Sequence, residues 1–155
     1  MQTQDLKTQK QGARVADSFT YSFESPQSAH EVFEFVRNVR NWWVGIFDET
    51  ITGNSQNLGD EFEFLAGDGV HKTKQKLALL QQDEKVMWEV LECRLSFLSK
   101  MDEWIGTHFG FEIADLGEKT KVTFIHDGLV PKFECYGNCS GAWTQYLNAL
   151  KSKLS

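Results

Sequence analysis

Between Lys119 and Leu154 the chain passes without a break from an alternating segment into one with helical periodicity. Val122, Phe124 and His126 fall on one side of the first part, with Lys121, Thr123 and Ile125 on the other, the period-two signature of a half-buried strand. Trp143, Leu147, Leu150 and Leu154 then recur at spacings of four, three and four, a single apolar stripe along a helix. A terminal helix fed by the last strand of a sheet buries that stripe against the sheet. The reading predicts that His126, Trp143 and Tyr146 meet in one interior.

Upstream, S-F-T-Y-S-F-E places Phe19, Tyr21 and Phe23 inward on a first strand. Ser25-Pro26 predicts a helix start, because Ser caps well and Pro suits the first helical position. Ala29, Val32, Phe33 and Val36 supply that helix's apolar stripe, and N-V-R-N-W-W-V-G reads as a short helical or irregular piece ending at Gly45. About six strand signals follow, separated by Gly- and Asp-containing turns too short to hold crossover helices, so their pairing is predicted antiparallel. An antiparallel sheet with one polar face covers the other with helices, an α+β layer arrangement. Residues 1–17, rich in Gln and Thr and without a period, are predicted to be a flexible polar tail, leaving 18–155 as a single domain.

Composition narrows the function classes. The 155 residues carry a net charge of −6, which argues against a nucleic-acid partner. No apolar run approaches the ~20 residues that cross a bilayer, and the first residues lack the apolar core of a secretory signal, so a cytoplasmic protein is predicted. Cys93, Cys135 and Cys139 are an odd number and predict free thiols; two sulfurs four residues apart do not supply the four ligands zinc wants. No nucleophile elbow, phosphate-cradling glycine loop or H-E-x-x-H is present, and no cofactor or metal is expected. Asp60, Glu61 and Glu63 are adjacent carboxylates, but alternation sends Glu61 and Glu63 outward and Phe62 and Phe64 inward.

What stands out is the aromatic share of 13%, with twelve Phe and five Trp. Trp42, Trp43, Trp88 and Trp143, with Tyr146 and Phe133, are the candidate ligand-facing aromatics, although bulk alone suits such residues to a core. Their indole and phenol groups could also anchor a polar-headed apolar ligand. His71 shares a strand face with Thr73, Gln75, Leu77 and Leu79; turned inward, this row makes a polar cavity wall, and a one-residue slip turns it out. His30 and His108 are expected at the surface. His126 reads either as a polar handle or general base at the end of an apolar cavity, or as a residue that closes the last strand onto the following turn, helped by Asp127.

N-W-W-V-G, G-D-E-F-E-F, D-E-W-I-G-T-H-F-G-F-E-I, G-E-K-T-K-V-T-F-I-H-D-G-L and E-C-Y-G-N-C-S-G-A-W-T-Q-Y-L-N-A-L occur in that order. The set resembles the START-like, or helix-grip, superfamily, and within it the branch akin to the activator of heat-shock-protein-90 ATPase. The resemblance spans roughly Phe19 to Leu154. It implies a seven-stranded antiparallel sheet gripping the C-terminal helix, with a cavity between them. It implies no shared chemistry, since related domains bind lipids, hormones or polyketides, cyclise or hydrate substrates, or stimulate a chaperone. The family motif has a His at the position of His126 across members of unlike function, which favours its structural role. The leading expectation is a small, largely apolar ligand bound by Trp42, Trp43, His71, Trp88, His126, Trp143 and Tyr146. The alternatives are a cyclase or hydratase with His126 as acid-base, and a modulator of a chaperone ATPase acting through protein contact.

Overall fold

The computed structural model describes residues 15–155, so residues 1–14 of the expected tail lie outside the described residues. At residue 15 the chain is already tied to the sheet, the Val15 amide donating to Asp127 Oδ1 at 2.8 Å. The elements are β1 (Phe19–Ser25), α1 (Ala29–Val36), β2 (Thr50–Gly53), β3 (Glu61–Ala66), β4 (His71–Gln81), β5 (Lys85–Leu95), β6 (His108–Asp115), β7 (Thr120–Asp127) and α2 (Tyr136–Lys153), with a 3₁₀ turn at Val39–Asn41. All strands belong to one antiparallel sheet of order β1-β7-β6-β5-β4-β3-β2, the seven-stranded helix-grip arrangement of an α+β fold.

Helix α1 starts later than Ser25-Pro26 suggests. Ser28 is the N-cap: its side chain accepts from the Glu31 amide while Glu31 reaches back to the Ser28 amide, a capping box. The reciprocal pair satisfies two orphan helix donors, whereas Ser25 has no acidic partner three residues on. Ser25 is buried instead, and its hydroxyl donates to the Leu154 carbonyl, tying β1 to the end of α2.

The predicted strand faces hold along most of the sheet. Phe62 and Phe64 of β3, Phe109 and Phe111 of β6, and Val122 and Phe124 of β7 are buried under α2, whose stripe Trp143, Leu147, Leu150 and Leu154 is buried in turn. The pattern breaks in β4, where a register shift between Leu77 and Leu79 pairs Leu77 with Trp88 but Leu79 with Met87 and Leu80 with Val86. The extra residue of such a bulge reverses the faces beyond it. Leu80, opposite the buried Val86, therefore packs on the core where Leu79 was expected.

The Ser28→Ala variant loses the capping box and is expected to unfold about 1 kcal/mol more easily, with an unchanged denaturant slope, in urea titrations.

Candidate functional site

Helix α2 has a bare front end. Gly137, Gly141 and Ala142 fall on its first turns beside the bulky Trp143 and Tyr146; Ala142 is half-buried and both glycines are exposed. A Cβ placed on Gly137 or Gly141 would meet no atom within 4 Å. The small side chains leave a cavity of about 470 Å³ between the helix and strands β3 and β4. Its walls include Trp43, Phe64, His71, Trp104, Trp143 and Tyr146. Phe47, Val70 and Phe97 stand at its edge and are exposed, which marks them as the mouth.

The inner wall is a stack of rings. Trp43 lies flat on Phe64 (centroids 3.7 Å, interplanar 9°) and stacks on Trp143 (5.2 Å, 27°), which in turn stacks on Trp104 (5.8 Å, 15°). His71 is set edge-on between the faces of Phe64 and Trp104, at 5.2 and 5.0 Å. Among the described residues, no Asp, Glu, Lys or Arg lines the cavity.

A carboxylate holds the mouth from behind. Glu49 accepts the backbone N–H groups of Gly45 (2.6 Å), Ile46 (3.0 Å) and Phe47 (2.7 Å), and the Tyr146 hydroxyl at 2.5 Å. Burial works to raise its pKa, but the Tyr146 and backbone hydrogen bonds outweigh it and the carboxyl stays below its ordinary range. Burial and the Glu49 carboxylate together push the Tyr146 phenol up, so it remains a donor. The pair joins the loop after the 3₁₀ turn to α2.

Of the residues predicted to bind, Trp43, His71, Trp143 and Tyr146 line the cavity; Trp42, Trp88, His126 and the candidate Phe133 do not. Trp42 and Trp88 are fully enclosed and donate their indole N–H groups to the Val36 carbonyl (2.7 Å) and the Ser55 carbonyl (3.1 Å). His126 is wholly buried, and both of its ring nitrogens are engaged. Trp143 Nε1 donates to Nδ1 at 3.0 Å, which leaves the proton on Nε2 to be donated to Thr107 Oγ1 at 2.9 Å. Thr107 passes its own proton to the Trp104 carbonyl at 2.6 Å. Burial pushes the His126 pKa down to about 3. The ring is a neutral junction with no lone pair free for a substrate proton, and its side chain bonds to Thr107 and Trp143 instead of to the following turn.

His71 is placed differently. Its ring is partly exposed to the cavity, while its Nε2 is buried with no hydrogen-bond partner among the described residues. Burial pushes its pKa down to about 4, so it is neutral at pH 7. Thr73 Oγ1 and both amide atoms of Gln75, the next two inward residues of β4, are also buried and unpartnered. Each such group costs about 1–3 kcal/mol if left dry.

Three contributors escape periodicity. Trp104 and Glu49 sit in irregular segments with no repeat, and Cys139 reaches the cavity only through the small residues around it. Glu103 holds the chain just before α2, accepting the amides of Glu134 (2.8 Å) and Cys135 (3.2 Å). Cys135 accepts the Trp104 indole N–H at 3.4 Å, and hydrogen bonding from Cys139 lowers the Cys135 thiol while raising that of Cys139. Cys93 is pushed up to about 11 by burial. The cavity-lining thiol is thus a protonated, poorly nucleophilic one.

A curved antiparallel sheet closed on a C-terminal helix, with a pocket under that helix, is the helix-grip, or START-like, fold. Solved structures of the same fold include the Aha1 dimer from Colwellia psychrerythraea, at 19% identity over 88% of this chain and 95% of that one, with a TM-score of 0.67. The AHSA1 protein from Silicibacter pomeroyi is similar at 15% identity over 88% and 97%, with a TM-score of 0.59. DynU16, from the dynemicin biosynthetic locus, is similar at 14% identity over 90% of this chain and 48% of its own, with a TM-score of 0.62. No protein-family model matches the chain, and no curated protein matches it in sequence. No helix among the described residues is long and apolar enough to cross a membrane.

Both buried histidines make the fold acid-sensitive. Their folded pKa values lie below the ordinary 6.5, so the unfolded chain takes up protons first; stability is full above pH 6.5 and declines toward about 3 for His126. Between pH 6.5 and 5, above the carboxylate range, the fully buried His126 is expected to lower the unfolding free energy with a slope that rises from about 0.7 kcal/mol per pH unit at pH 6.5 to about 1.3 at pH 5. Urea titrations across that window check this, and a flat profile would contradict a neutral buried His126.

Proposed function

We propose that this protein binds a small, largely apolar molecule in the cavity between β3, β4 and the first half of α2. The observation that carries the reading is the cavity itself, about 470 Å³ walled by Trp43, Phe64, Trp104, Trp143 and Tyr146, with no charged side chain among the described residues that line it. The stacked rings of Trp43, Phe64 and Trp143 form an apolar wall, and exposed Phe47, Val70 and Phe97 give a greasy entrance. The similarity in fold to proteins such as DynU16 is in keeping with a pocket but names no ligand.

Acid–base catalysis by His126 loses its motive, since the ring is enclosed and both nitrogens are engaged. His71 is the histidine that reaches the cavity, and no carboxylate or cation stands beside it there to complete a proton relay. Binding without chemistry is the simpler role for this set of residues.

The test fills the space from the helix side. Ala142→Phe puts a bulky side chain at a half-buried helix position that lines the cavity, and its circular dichroism spectrum is expected to match that of the wild type. The same variant is expected to abolish saturable binding of an uncharged solvatochromic dye such as Nile red. Wild-type protein that shows no saturable, blue-shifted dye signal would overturn the proposal.

A further inference from the structure

We infer that the ligand is uncharged and carries one polar group, a hydroxyl, carbonyl or amide, that hydrogen-bonds the His71 imidazole. The inference rests on the cavity reading above and specifies the chemistry of its occupant. It starts from a row along β4. His71, Thr73 and Gln75 are successive inward positions, about 7 Å apart, and their buried polar atoms are without partners among the described residues.

The neighbours explain why no protein group answers them. Across the ladders Thr73 faces Phe64 and Cys93, and Gln75 faces Phe62 and Val90. The Cys93 thiol is directed to the Met101 carbonyl. Over the row lie aromatic rings: Trp88 and Trp104 have their N–H groups engaged elsewhere, and so does Trp143. The row makes this the polar wall of an otherwise aromatic interior. Of the three residues, His71 is the one that lines the cavity, and its Nδ1 is outside the buried set, so this is where a ligand's polar end can reach.

The charge of the ligand follows from the rest of the wall. A carboxylate or ammonium would lose its hydration with no countercharge in the lining, and the nearest carboxylate, Glu49, is already filled by three amides and the Tyr146 hydroxyl. His71 is itself neutral at pH 7. A neutral polar group can still hydrogen-bond the imidazole in this largely apolar setting, where such a bond is worth more than at an exposed site.

Equilibrium dialysis at pH 7 with three molecules of one shape tests this: 2-naphthol, 2-methylnaphthalene and 2-naphthoate. The wild-type protein is expected to hold 2-naphthol about tenfold more tightly than 2-methylnaphthalene, and 2-naphthoate more weakly than either. In His71→Leu the two neutral compounds are expected to bind alike, while His71→Gln, which keeps a polar end, retains part of the preference. Equal binding of the two neutral compounds by wild type, or preference for the anion, would overturn the inference and leave the cavity reading intact. A naphthol preference that survives in His71→Leu overturns the assignment to His71. If none of the three binds, the cavity reading itself fails, and this one with it.

Discussion

The hydrogen-bond relay from Trp143 through His126 and Thr107 to the Trp104 carbonyl joins three parts of the molecule: helix α2, strand β7 and the loop before β6. Each donor in it has one acceptor, which fixes the imidazole tautomer and with it the rotation of two indoles. Trp104 and Trp143 are the two rings that stack over the cavity. The pocket wall therefore has a set shape because a junction behind it is polar and saturated. The turn at Gly128 serves the same junction. Its φ of +104° favours glycine, and a Cβ there would sit 2.8 Å from Thr107 Cγ2.

The contrast between the two inward histidines shows how position decides chemistry. His126 and His71 are both neutral and both flanked by Trp104. One has its ring nitrogens filled by protein and acts as a strut. The other keeps a buried nitrogen unfilled at the edge of open space. Residue type alone does not separate them; the distribution of partners does.

Much of the fold was legible in the sequence, because period-two and helical patterns report which side of an element is buried. The stripe of α2, the faces of β3, β6 and β7, and the outward Glu61 and Glu63 follow directly from alternation. The bulge in β4 was not legible, since one extra residue leaves composition unchanged while shifting Leu79 and Leu80 between faces. The site was half legible. Trp43, His71, Trp143 and Tyr146 reach the cavity as their patterns suggested. Trp42 and Trp88 look identical to Trp43 in sequence and differ only in what their N–H groups find behind them. Trp104 and Glu49 act from irregular loops, where no period exists to reveal a direction.

The start of α2 carries a consequence beyond the space it leaves. Ala142 lines the cavity and is only half-buried, and the sheet below is braced by its own ladder. A change to serine, valine or leucine there would narrow the chamber stepwise while the ladder and the stacked rings stay in place. In such a molecule the choice of occupant can drift while the framework stays still, as a drawer is resized by sliding its divider.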